Sequence, residues 1–152
     1  MPEDAERLTV KDAESAQKAI LELILKYPNY PKTFKASNAT IKWNNIETTT
    51  SIGIFSLQGA KYLKKYISGS YRAQMPFQVV SRSSPTANRD SIAAQELVDS
   101  IGAWLEENGI SFKDEHMQFE LINRTSQAFL LNQNDKVVDY AINVQLKYFY
   151  KK

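Results

Sequence analysis

The stretch Val138-Asp139-Tyr140-Ala141-Ile142-Asn143-Val144-Gln145-Leu146-Lys147-Tyr148-Phe149-Tyr150 decides how this chain is read. Every second residue from Val138 is apolar or aromatic, while Asp139, Ala141, Asn143, Gln145 and Lys147 stand between them. A period of two puts one face of an extended segment in a core and the other in water, the pattern of a strand in an antiparallel sheet. At about 3.4 Å per residue the segment would run roughly 40 Å, about twice a common strand. The excess either curls around the domain's own helices or projects to meet another chain. Val138 to Leu146 is assigned to central packing against the helix that carries Trp104, and Tyr148 to Lys152 to a neighbouring subunit.

Working outward, Ile92, Ala94, Leu97, Val98, Ile101, Trp104 and Leu105 recur at helical spacing, with Ser84-Pro85 as a start and Asn108-Gly109 as a stop. A first helix is predicted from Ala13, Ala16, Ile20, Leu23, Ile24 and Tyr27. Thr9 with Asp12 resembles its start, Pro28 and Pro31 end it, and residues 1–8 read as a flexible arm. Between the helices, strands are expected over Thr40 to Glu47, Ser51 to Leu57, Tyr62 to Ile67 and Tyr71 to Arg82. Pro76 argues for an edge position or a bulge in the last of these. Met117, Phe119 and Leu121 alternate in a strand that continues irregularly to Leu131, and Asn132 to Asp135 turn into the final strand. The expected fold is α+β: a mainly antiparallel sheet with two amphipathic helices on one face, in the order α-β-β-β-β-α-β-β.

The 152 residues suit a single domain, 43% hydrophobic and 24% charged. No apolar run approaches the ~18 residues of a membrane span, and the acidic start Met-Pro-Glu-Asp-Ala-Glu-Arg does not resemble a secretory signal. Zero cysteines exclude disulfides, thiolate metal sites and cysteine nucleophiles, and agree with folding in a reducing cytoplasm. A net charge of +2 lacks the basic excess of a dedicated nucleic-acid binder. The lone His116 cannot supply a histidine metal cluster, and the Gly53 to Lys61 run lacks the Gly-Lys-Ser/Thr that a phosphate loop requires. Glu106-Glu107 and Asp114-Glu115 are adjacent pairs, which read as solvated charge rather than as carboxylates facing each other across a cleft. No catalytic residue, cofactor or metal is expected. The segment Lys61-Tyr62-Leu63-Lys64-Lys65-Tyr66, with Tyr71 and Arg72, carries two readings. Its aromatics and lysines could stack bases and contact phosphates, or its lysines could discourage edge pairing while the tyrosines cover the sheet.

Residues 51 to 105 carry a family resemblance through Ser51-Ile52-Gly53-Ile54-Phe55, Gly59-Ala60, Lys65 to Tyr71, Gln74-Met75-Pro76-Phe77, Arg82, Pro85-Thr86 and Ile101-Gly102-Ala103-Trp104-Leu105. This pattern resembles small minor capsid proteins of tailed phages of Gram-positive hosts, themselves similar to tail terminators. The resemblance implies a virion protein, made in the bacterial cytoplasm, that forms a ring of six subunits on the head-proximal end of the tail tube. Such a ring stops tube polymerisation and joins the head connector. The implied partners are the chain itself, the tail tube protein, the connector protein, and DNA that passes through without specific binding. A neighbouring connector or tail-completion role and a small nucleic-acid-binding module are the alternatives. The His-His-x-x-x-Asp-Gly motif of chloramphenicol acetyltransferases is absent.

A ring requires two different surfaces that meet. The candidates for subunit contact are Tyr62, Tyr66, Ile67, Tyr71, Tyr148, Phe149 and Tyr150. For the lumen, polar loops are expected: Asp114 and Glu115, or Asn132 to Asp135.

Overall fold

A computed structural model describes residues 2–30, 41–46, 51–83 and 88–152. In chain order the elements are α1 (Pro2–Leu25), β1 (Lys42–Trp43), β2 (Ser51–Ser56), β3 (Tyr62–Lys65), β4 (Tyr71–Ser83), α2 (Asn88–Asn108), β5 (Met117–Arg124), β6 (Phe129–Gln133) and β7 (Val138–Tyr150). The fold is α+β, with both helices on one face of a sheet that is antiparallel except where β1 meets β2. The irregular strand expected from Met117 to Leu131 is β5 followed by β6, both antiparallel to β7.

The 13 residues of β7 do not project beyond the core. They pair along their whole length with the 13 of β4, from Val138 opposite Ser83 to Tyr150 opposite Tyr71. The other side of β7 is covered end to end by β6 and β5. Beyond β4, β2 pairs with residues 77–82 and β3 with residues 71–73. Each long central strand is thus flanked by two short ones in tandem. Pro76 sits in central β4, where it is tolerated because of that break. The Pro76 carbonyl accepts from Leu57 N, so the missing N–H of the same residue also faces the gap between Ser56 and Tyr62.

The register assigns the two faces. Ile142, Val144, Leu146 and Tyr148 of β7, with Phe77 and Val79 of β4 and Ile52 and Ile54 of β2, form a buried face under the helices. Leu97, Val98, Ile101 and Leu105 of α2 and Ala16, Ile20 and Ile24 of α1 complete the core. Burial of each large apolar side chain contributes about 1.5–3 kcal/mol. Trp104 joins the helices: its indole Nε1 donates to the Leu23 carbonyl at 3.1 Å, and Tyr27 meets its ring edge-on at 5.9 Å. The opposite face carries amides. Gln78 donates to Asn143 at 3.0 Å, Gln145 donates to Gln74, and Arg82 forms a two-point ion pair with Asp139 at 2.8 and 2.9 Å.

Three expectations are corrected. The helix begins at Pro2, so residues 2–8 are helical rather than an arm, and Thr9 with Asp12 lies inside it. Proline suits a first helical turn because its missing N–H would have no partner there. The strand expected over Thr40 to Glu47 is only Lys42–Trp43, because Asn44 turns the chain with φ of 58°. Thr40, Glu47 to Thr50 and the start signal Ser84-Pro85 lie outside the described residues. The stop at Asn108-Gly109 is as expected: Gly109 has φ of 64° and its N–H returns to the Leu105 carbonyl at 3.0 Å.

Candidate functional site at the sheet edges

The most unusual chemistry in the interior belongs to α1. The carboxylate of Asp12 is 0% exposed and accepts from Lys61 Nζ at 2.7 Å, Tyr71 OH at 2.6 Å and Tyr148 OH at 2.9 Å. Burial, and then the neighbouring carboxylate, raise both phenols above the ordinary tyrosine range, so they remain protonated donors. Three of a carboxylate's roughly four acceptor positions are occupied. The cluster acts as a clamp that ties the first helix to three strands, β4, β7 and the start of β3.

This clamp corrects part of the expected interface. Tyr71, Tyr148 and Tyr150 face the core: Tyr148 is 1% exposed, and Tyr71 stacks on Tyr150 at 5.0 Å. Side chains so placed leave almost no surface for a neighbouring subunit. Tyr62 is half-buried, edge-on to Tyr71 at 4.9 Å. Phe149, the odd member of the run, points to the opposite face and meets Tyr66 at 6.0 Å. Tyr66 and Ile67 are exposed, and Ile67, at 109%, touches almost nothing of its own chain.

The structure adds an apolar edge that the sequence reading missed. Phe119 and Leu121 on β5 and Leu130 and Leu131 at β6 are exposed on the flank opposite β3. Leu121 counted as inward because it alternates with Met117 and Phe119. A bulge at Glu120 shifts the register, so that Phe119 lies opposite Tyr148 but Leu121 lies opposite Lys147, on the other face. A second shift between Leu130 and Asn132 leaves Leu131 as the bulged residue without a partner on β7. The adjacent pair Leu130-Leu131 was the available signal, since neighbours in a strand cannot both face inward.

The lysines of the β3 segment are engaged within the chain. Lys61 holds Asp12, Lys65 lies 4.2 Å from the centre of the Tyr62 ring, Lys64 lies 5.2 Å from that of Tyr66, and Arg72 pairs with Glu120 at 2.9 Å. The two sets of lumen candidates are far apart. Asp114 and Glu115 precede β5 at the Tyr150 end of the sheet, where Asp114 accepts from His116 N at 2.9 Å. Asn132 is the last residue but one of β6 and Asp135 follows the strand at the Val138 end, roughly 40 Å away at about 3.3 Å per residue. His116 is exposed at the start of β5, stacked on Tyr150 at 5.6 Å.

Between α2 and the break separating β5 from β6 lies an open groove of about 630 Å³, lined by Ile92, Gln95, Glu96, Asp99, Ser126 and Gln127 among others. Arg124 closes one side, paired with Asp99 at 3.0 Å and with Glu106. Among the described residues no group of three metal-ligating side chains occurs, and no helix is long and apolar enough to cross a membrane.

No family model and no curated protein matches this chain. A solved structure whose name describes no function is similar at 13% identity, over 99% of this chain and 96% of the other, with a TM-score of 0.44.

Proposed function

We propose that this chain is a structural, non-enzymatic protein of a tailed-phage virion, a tail terminator. It closes into a ring on the head-proximal end of the tail tube, stops the tube from growing and presents the surface that meets the head connector. The observation that carries this reading is the placement of exposed apolar side chains on two different flanks of one sheet. Leu63 and Ile67 lie on the β3 flank, and Leu121, Leu130 and Leu131 on the β5–β6 flank. Surfaces of this kind mark interaction sites, and two unlike surfaces on opposite sides suit head-to-tail assembly into a ring. The resemblance supports the same reading, because the residues that carry it run from β2 through the β3–β4 hairpin and along α2. In this role DNA crosses the ring without being held, which agrees with a net charge of +2.

Electron microscopy of the purified protein, alone and mixed with tail tubes, tests the proposal. Rings, or tubes ending in a cap and growing no longer, are the expected result. Tubes that continue to elongate with uncapped ends in its presence would overturn it.

A further inference from the structure

The hairpin joining β3 to β4 is a firm projection rather than a loose loop. Tyr66 N donates to the Ser70 carbonyl at 2.9 Å, Gly69 N donates to the Tyr66 carbonyl at 3.0 Å, and the main chain of Lys152 reaches Ser70 Oγ at 3.0 Å. At its tip stands Ile67, fully exposed, with Lys64 and Lys65 exposed on the strand behind it. A branched apolar side chain held in water by a rigid turn gains nothing from its own fold.

On the opposite flank of the sheet, the groove between α2 and the β5–β6 break presents the complementary features. Ile92 lines it with an exposed apolar side chain, Ser126 and Gln127 line it beside the strand break, and Glu96, also in the lining, is exposed. Its volume of about 630 Å³ exceeds what one isoleucine needs and suits the tip of a hairpin. Projection and groove differ in shape and in sign of charge.

We infer that the Ile67 hairpin of one copy seats in the Ile92–Gln127 groove of the next copy, with Lys64 or Lys65 facing Glu96. The inference rests on the assembly proposed above and names its contact. Because the two surfaces lie on opposite flanks, the contact is head-to-tail, and each copy still offers an unused hairpin and an unused groove until the ring closes. The occupant of the groove is therefore the chain itself. The apolar tip supplies the anchor, and the lysine–glutamate pair at the rim fixes which way it enters.

The absence of cysteine from the chain provides a clean test. Ile67→Cys and Gln127→Cys alter exposed positions, and circular dichroism establishes that each variant is folded. Oxidation of an equal mixture of the two is expected to give a mixed disulfide dimer, and the double variant a ladder of covalent multimers on a denaturing gel. Such cross-links form only where Cα atoms come within about 7 Å. In parallel, Ile67→Asp is expected to weaken self-association at least about tenfold, the effect of losing an interface anchor. Lys64→Glu combined with Lys65→Glu should weaken it as well, and adding Glu96→Lys should restore part of the loss.

If the unmodified protein assembles but cross-links appear only between two Ile67→Cys chains, or not at all, the hairpin contact is wrong while the ring reading stands. If Ile67→Asp abolishes tube capping yet leaves the cross-linkable assembly of other positions intact, the hairpin serves the tail tube instead and the inference falls. Protein that stays monomeric at every attainable concentration and on tail tubes overturns both.

Discussion

Asp12 illustrates how one residue can mislead a sequence and organise a structure. Three positions after Thr9 it looks like part of a helix start, yet its carboxylate lies in the core with three donors around it. Asp12→Ala removes the acceptor that two phenols and the Lys61 ammonium share. Lys61 keeps a side chain 23% exposed and can turn to water, so the expected loss is about 2–4 kcal/mol, below the upper range for a broken buried pair. Equilibrium unfolding in urea measures it. The same cluster sets an alkaline limit. Tyr71 and Tyr148 have raised ionisation in the folded state, so their contribution is complete below the unfolded value of about 10 and is lost as pH rises above it. Unfolding free energy should therefore fall beyond about pH 10, and more gently in Tyr71→Phe and Tyr148→Phe. Of the eight tyrosines, Tyr71 and Tyr148 should add their share of ultraviolet tyrosinate absorbance only on unfolding, and that share should be missing from the two phenylalanine variants.

At the scale of elements, β7 carries the sheet because both of its edges are occupied throughout. Leu146→Ala or Ile142→Ala, each fully buried, is expected to cost about 2–5 kcal/mol by cavity formation. Changing Tyr148, Phe149 and Tyr150 together to serine should unfold the protein rather than merely loosen an assembly, since two of the three are core residues. Phe149→Ser alone should be much milder. Where β1 passes β2 there is no space for a side chain: a Cβ on Gly53 would stand 2.6 Å from the Asn45 carbonyl oxygen and 2.9 Å from Ile46 Cβ. Gly53→Ala is expected to cost about 1–3 kcal/mol through overpacking, and hydrogen exchange should show the protection loss concentrated in β1 and β2. The alternation of β7 was readable because a two-residue period survives in a strand paired without interruption. The alternation of β5 misled at Leu121 because a single bulged residue, Glu120, exchanges the faces beyond it.

The whole molecule is a two-layer domain with unlike flanks. Ile67→Ser should leave the unfolding free energy within about 0.5 kcal/mol, since the native side chain packs on nothing, while self-association weakens. Sedimentation at matched concentrations, with urea unfolding alongside, separates the two effects. A single-stranded oligonucleotide should be held at most weakly at low salt, because a net charge of +2 supplies no extended basic field and Lys61 and Arg72 already pair with Asp12 and Glu120. Steeply salt-dependent retention would instead restore the nucleic-acid reading of this segment.

Local patterning by itself determined the α+β class, the element order, the core face of β7 and the glycine stop of α2, because each is encoded by periodicity or backbone preference within a few residues. Tertiary structure alone decided which aromatics are free. Tyr71, Tyr148 and Tyr150 have the same chemistry as Tyr66, and only the arrival of α1 with Asp12 over one face of the sheet separates them. The open flanks were likewise beyond local reading: an edge exists only once the pairing of all strands is complete, and the side chains upon it are set by bulges whose position depends on the partner strand.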